Sequence, residues 1–159
     1  MGNLLAWLIK VTISILLLVI IVTIVAQVFW RYVLQAPLIW PEEVSRYSFI
    51  WISFLGMTLL LRSGSLMVFE ALLHAMPLWI QARMAVLIDL SMVPLLAIFV
   101  RQGIVMMRLV QDQVAPSLGV SMVWVYLSVP VSGALGLWFI FERLFTGSVS
   151  LPRDRQSLP

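Results

Sequence analysis

Residues 31–62 read RYVLQAPLIWPEEVSRYSFIWISFLGMTLLLR, and the change of character along this stretch decides the fold. Pro37 sits in a short loop, and Pro41 opens a new segment. Proline suits the first turn of a helix, because its missing N–H would have no helical partner there. Glu42 and Glu43 follow, placing negative charge at the positive end of the helix dipole. Arg46 lies four residues after Glu42 and three after Glu43, so it shares their face and can pair with either. From Tyr47 to Leu61 no charge interrupts the apolar run, and Arg62 closes it. The stretch reads as a membrane-spanning helix entered through a polar, charged turn.

The composition agrees. The 159 residues are 62% hydrophobic and 11% charged, with a mean hydropathy of +1.07. Soluble domains carry about 25% charged residues, and one small water-soluble core could not hide this much apolar surface. Lipid is the expected solvent. The absence of cysteine removes disulfides, thiolate metal sites and cysteine nucleophiles, and the single histidine, His74, rules out a multi-histidine metal or haem site within one copy. The ten basic residues are spread along the chain rather than clustered, so no nucleic-acid partner is expected.

Working outward, four spans are expected, at about 11–30, 41–61, 78–108 and 120–141, giving an all-α integral membrane protein. The first follows Lys10 and runs twenty residues without a charge, longer than a signal-peptide core, so it is expected to remain as an anchor. Between the second and third spans, residues 66–76 are expected to form a short amphipathic helix in the interface plane. Glu70 and His74 read as its wet face, with a metal pair or proton relay as the sharper alternative. The third span contains Asp89, Pro94 and Arg101. Ionisable groups in lipid normally face protein or water, so Asp89 is a functional-site candidate by default, but a buried pair or hydrogen bond that fixes packing is the favoured reading. Arg101 is expected at a depth similar to Glu42 and Glu43, and within about 6 Å of one of them. Pro130 is expected to bend the fourth span. Gly56 either permits close helix approach or is simply a tolerated membrane glycine, and Trp51, Pro130 and Gly133 are further candidates for packing or a subunit interface. Trp7, Trp30, Trp40 and Trp79 read as interfacial anchors. The tail, residues 146–159, is polar and is expected to be cytoplasmic and flexible. Placing both termini in the cytoplasm puts Lys10, Arg62, Arg83, Arg143, Arg153 and Arg155 inside and Arg31, Arg46, Arg101 and Arg108 outside, a modest positive-inside bias.

The sequence shows no nucleophile–base–orienter set, glycine-rich phosphate loop or ligand cluster, and no internal repeat of the kind that builds a complete secondary transporter. No catalytic role and no cofactor are expected. The residues alone describe a small four-helix membrane subunit that needs a partner.

Several runs carry a resemblance. Gln27-Val28-Phe29-Trp30-Arg31-Tyr32, the Pro37 loop, Trp40-Pro41-Glu42-Glu43, Arg46, Trp51, Phe54-Leu55-Gly56 and Arg62-Ser63-Gly64 are joined by Ser117, Trp124, Tyr126, Leu127, Pro130 and Gly133. Together they resemble the small membrane subunit of the tripartite ATP-independent periplasmic (TRAP) transporters, over residues 10–145. One segment departs: where the family often continues Arg-x-Gly-x-His-Ile-x-Val-Asp, this chain has Leu66, Met67, Phe69 and Glu70.

The resemblance implies a scaffold in the bacterial inner membrane that packs beside a large partner. That partner carries the substrate and sodium sites and moves as an elevator. A periplasmic binding protein delivers an organic acid. Arg31, Trp40, Glu42, Glu43, Arg46 and Arg101 then form an external network or docking surface, while Arg62 and Arg83 can meet lipid phosphates on the inner side. Two other functions fit the residues: a membrane anchor for a redox enzyme, or a self-sufficient small antiporter coupled through Asp89 or Glu70.

Overall fold

A computed structural model describes residues 2–36, 38–63 and 78–146, with the side chains of residues 87–144 in the last segment. Five helices account for most of it: α1 (Gly2–Tyr32), α2 (Trp40–Ser63), α3 (Leu78–Leu109), the single turn α4 (Val123–Tyr126) and α5 (Ser128–Thr146). Four stretches are long and apolar enough to cross a membrane: α1, α2, Leu87–Leu109 of α3, and Val123–Leu144 of α4 and α5 taken together. The interfacial helix expected at 66–76 and the tail beyond 146 lie outside the described residues.

The helices begin and end where local chemistry requires. α1 starts nine residues before the expected span and carries Lys10 within it. Its other end is closed by a six-residue return bond, in which the Ala36 N–H donates to the Trp30 carbonyl at 3.3 Å, with Gln35 in the left-handed region at φ 52°. Glycine usually takes that position. α2 opens on Trp40 and Pro41 and carries Glu42 and Glu43 in its first turn. The fourth span is interrupted at Leu127, three residues before Pro130. Pro130 has no N–H for the Tyr126 carbonyl, so the helix steps at that level and restarts with proline in its first turn.

The long helices pack in the order α1, α2, α5, α3. One apolar cluster joins Ala6 and Ile9 of α1, Leu55 of α2 and Phe139 of α5. A second joins Leu61 of α2, Leu96 of α3 and Ile140 of α5. α5 is thus the central strut, with 44% of its span buried against 11% in α1 and α3. The most enclosed side chains include hydroxyls: Thr58, Ser128 and Ser132 are 1%, 0% and 5% exposed. Each has a carbonyl to bond, as a non-aqueous environment demands. Thr58 reaches the Ser132 carbonyl across the α2–α5 contact at 3.2 Å, and Ser128 and Ser132 bond carbonyls of the preceding turn. Long apolar side chains such as Leu18, Val22, Leu90 and Ile98 point outward. Interfaces of small and hydroxyl residues beneath an apolar exterior are the pattern of helices packed in lipid.

Close approach is greatest between α3 and α5. A Cβ on Gly103 would lie 2.6 Å from the Pro130 ring, and one on Gly133 would lie 2.8 Å from Val100. Gly56 differs from these: no atom lies within 4 Å of its Cβ position, so it serves no helix contact among the described residues.

Candidate functional site

Polar side chains gather at two levels of the bundle. One lies at the loop end, where α1 hands over to α2 and α3 to α4. The other lies at the terminal end, where α1 begins and α2 and α5 finish.

At the loop end Glu42 and Glu43 have separate tasks. Glu42 accepts from the Arg46 guanidinium at 2.8 Å, a one-turn pair whose two side chains are each 64% exposed. Glu43 instead reaches the loop after α3. Its carboxylate accepts from the Ser117 N–H at 3.2 Å and from the Leu118 N–H at 3.2 Å. Those two amides are free because the loop is a tight hairpin. Ala115 N–H bonds the Val120 carbonyl, Gly119 N–H bonds the Ala115 carbonyl, and Gly119 lies at φ 65°. Pro116 opens the turn, and the next two N–H groups have no carbonyl to face within it. An ionised carboxylate across two adjacent amides is a strong form of hydrogen bond.

α2 makes two further ties at this end. Ser45 Oγ lies 2.9 Å from Thr23 Oγ1 of α1. The Trp51 indole N–H donates to the Trp124 carbonyl of α4 at 3.2 Å. Arg31 and Trp40 are exposed beside this cluster.

The expected pairing of Arg101 with Glu42 or Glu43 is not what the structure shows. Among the described residues the ion pairs are Glu42–Arg46 and Asp89–Arg143. Arg101 is exposed on α3. Similar depth was the basis of the expectation, but depth does not fix neighbours. α5 separates α3 from α2, and both glutamates already have partners.

At the terminal end Asp89 of α3 meets Arg143 of α5 in a direct ion pair, with the carboxylate side chain 9% and the guanidinium side chain 17% exposed. The other terminal nitrogen of Arg143 donates to the Leu61 carbonyl near the end of α2 at 3.4 Å. One guanidinium therefore touches three helices. Arg62 bonds the Asn3 side-chain oxygen at 2.5 Å and lies over the Phe139 ring at 5.2 Å. The Gly2 N–H donates to the Glu142 carboxylate at 3.1 Å, which places an acidic cap on the positive end of α1. Arg62 thus has partners inside the chain. Arg83 lies on the first turns of α3, and its side chain is outside the described residues.

Several of these groups were not singled out from sequence: Arg143, Glu142, Asn3, the amides of Ser117 and Leu118, and the hydroxyls of Thr23, Ser45, Thr58 and Ser132. A usable signal existed for Arg143. Asp89 precedes the end of α3 by twenty residues and Arg143 follows the start of α4 by twenty, so an antiparallel pair of spans puts them at one depth. Among the described residues, no group of three or more His, Cys, Asp or Glu side chains stands together to hold a metal ion.

These features define a multi-pass membrane protein whose internal polar groups tie its own helices together. The chain belongs to the DctQ component of the tripartite ATP-independent periplasmic transporters, whose family model matches residues 20–149. It is thereby a small permease subunit of a TRAP transporter. It is similar to the sialic acid TRAP transporter permease protein SiaT of Haemophilus influenzae, at 22% identity over 135 residues, covering 85% of this chain and 21% of that protein. It is also similar to the isethionate TRAP transporter permease protein DctMQ of Oleidesulfovibrio alaskensis, at 28% identity over 127 residues, covering 75% of this chain and 20% of that one. The chain spans about a fifth of the length of these relatives.

Proposed function

We propose that this chain is the static scaffold of a TRAP importer in the bacterial inner membrane, with both termini cytoplasmic. It packs beside a large permease component that carries the substrate and sodium sites and moves as an elevator. A periplasmic binding protein delivers the substrate, and the loop end with Arg31, Trp40, Glu42, Glu43 and Arg46 faces it. The substrate class is an organic acid. The two relatives named for sialic acid and isethionate, both organic anions, support that class.

The observation that carries the scaffold reading is the engagement of Asp89. A coupling carboxylate must be free to take and release an ion. Asp89 is held by Arg143, and that guanidinium also reaches Leu61. The pair clamps α3 to α5 and α2. Breaking such a pair on one side leaves an uncompensated charge in a poorly solvated place.

Reconstitution tests this directly. Proteoliposomes holding the large permease and this chain, supplied with the binding protein and a sodium gradient, take up substrate; omitting this chain abolishes uptake, and this chain alone moves nothing. Proton or solute flux through the chain alone would overturn the proposal.

A further inference from the structure

Lys10 of α1 and Arg101 of α3 are exposed cations on the two outer helices of the row, and neither has an ion-pair partner among the described residues. Contacts between neighbouring helices fix their level. Ile9 shares an apolar cluster with Leu55 of α2, so Lys10 stands close to the level of Leu55. Gly103 faces Pro130 and Gly133 faces Val100, so Arg101 stands beside Ser132 of α5, whose carbonyl takes the Thr58 hydroxyl of α2. The two cations therefore share one level of the row, within a helical turn. It lies about 6–10 Å in from Arg62 and about 18–22 Å from Glu43 at the rise of a helix.

From that shared level the apolar runs leave in opposite directions. On α1 the run is 11–30, from Lys10 toward the loop end, with Trp7 shortly before it and Trp30 at its close. On α3 it is 84–100, from Arg101 toward the terminal end, and the one charge within it, Asp89, is paired inward with Arg143. The centres of the runs are displaced accordingly. Ile20 and Ile21 lie two to three residues before Thr23, which meets Ser45, and so stand near Tyr47 and Ser48. Met92, at the centre of the α3 run, packs against the cluster of Leu61 and Ile140. The inner helices fall between. The charge-free run of α2, 47–61, is centred on Phe54, and that of α4 and α5, 123–141, on Ser132 beside Thr58. Counted along α2, the centres stand near residues 47–48, 54, 58 and 61 for α1, α2, α5 and α3, the order of the row. That is an axial shift of about 20 Å across three helix spacings of about 8–10 Å each, an inclination of about 35–40°.

An upright row would sink both cations into hydrocarbon and lift Trp30 past the level of Glu43. An inclined row brings all four apolar runs onto one bilayer centre. It also uses the helix lengths. α1 and α3 have 31 and 32 residues and α2 has 24. The first two reach about 47 Å, far more than a core of about 30 Å needs, while α2 reaches about 36 Å and covers about 29 Å of depth at this angle.

We propose that the row lies inclined in the bilayer, in its own plane, so that phospholipid phosphates at the terminal-end face hold Lys10 and those at the loop-end face hold Arg101. Long cationic side chains extend to that layer while their stems stay on apolar surface. The inference needs only the membrane placement of the chain and is independent of the scaffold reading.

The chain has no cysteine, so nitroxide labels report single sites after Ser14→Cys, Ile21→Cys, Leu90→Cys or Ile104→Cys, all at exposed positions. The full chain is placed in vesicles of phosphatidylcholine and phosphatidylglycerol. Labels at 21 and 90 collide most with oxygen and least with a water-soluble nickel chelate, because both sit at the bilayer centre; labels at 14 and 104 are shallower. An upright row reverses that order, and the reversal overturns the proposal. Lys10 is the only lysine, so lysine carrying carbon-13 at Cε reports on it alone, and exchanging Lys10→Arg with Arg101→Lys moves the report to position 101. In solid-state NMR both signals lose intensity through coupling to lipid phosphorus. Undiminished intensity at either position also overturns the proposal.

Discussion

At the loop end Glu43 crosses from α2 to the hairpin after α3 and binds two backbone amides. At the terminal end Asp89 crosses from α3 to α5 and binds one side chain, Arg143. The first clamp asks only that the hairpin keep its shape, because any residue but proline at 117 or 118 supplies the same N–H. The second asks for two particular side chains at one depth, in surroundings where either alone is unfavourable. The loop end can therefore vary its surface while holding its backbone, whereas the terminal end is fixed by a specific pair.

The largest expected effect comes from separating that pair. Arg143→Met strands the Asp89 carboxylate and costs about 3–5 kcal/mol of stability, read as thermal unfolding in mild detergent. The double variant Asp89→Leu with Arg143→Met recovers most of that loss. If Arg143→Met alone melts like the unsubstituted protein, the terminal clamp has no structural weight.

Glu43→Gln comes next. A neutral amide can still accept from Ser117 and Leu118 but loses the charge assistance, a loss of about 1–2 kcal/mol. The accompanying sign is local: the amides of Ser117 and Leu118 lose protection in hydrogen exchange while α5 does not. Uniform loss across the bundle would instead make Glu43 part of one cooperative unit with Asp89.

Trp51→Phe removes the donor to the Trp124 carbonyl, worth about 0.5–1.5 kcal/mol, together with the five-membered part of the indole, so the loss is at least that. Its effect adds to that of Glu43→Gln if the two ties hold the hairpin and α4 independently. The smallest change is at Glu42. Its pair with Arg46 is exposed on both sides, so Glu42→Gln shifts stability by no more than about 0.3–0.5 kcal/mol. Arg46→Ala sharpens the contrast. It leaves stability nearly intact, and a fall in uptake then marks Arg46 as a docking residue; unchanged uptake with normal recovery of the complex ends that role.

The four spans were legible because each is a charge-poor apolar run bounded by charge or proline, and the solvent imposes its length. The start of α2 was legible for the same kind of reason, since Pro41, Glu42 and Glu43 act through the local chain. Glu42–Arg46 is a one-turn pair and needs no knowledge of tertiary structure. What was not legible is what depends on which helix stands next to which. Arg101 was matched to Glu42 and Glu43 by depth, yet α5 occupies the space between α2 and α3. The partners of Glu43 are backbone amides, which carry no residue signature. Gly56 read like Gly133, but only Gly133 meets a neighbouring helix among the described residues. Asp89 stood out as an intramembrane carboxylate, and its partner Arg143 lay in an equal count of residues along the neighbouring antiparallel span.

The scaffold reading is tested most directly by recovering the tagged chain from native membranes in mild detergent and weighing what comes with it. We expect a large polytopic permease at equal stoichiometry, retained in Glu42→Gln and lost with the terminal clamp in Arg143→Met. Recovery of the intact chain alone, or with a soluble redox enzyme, would contradict the account.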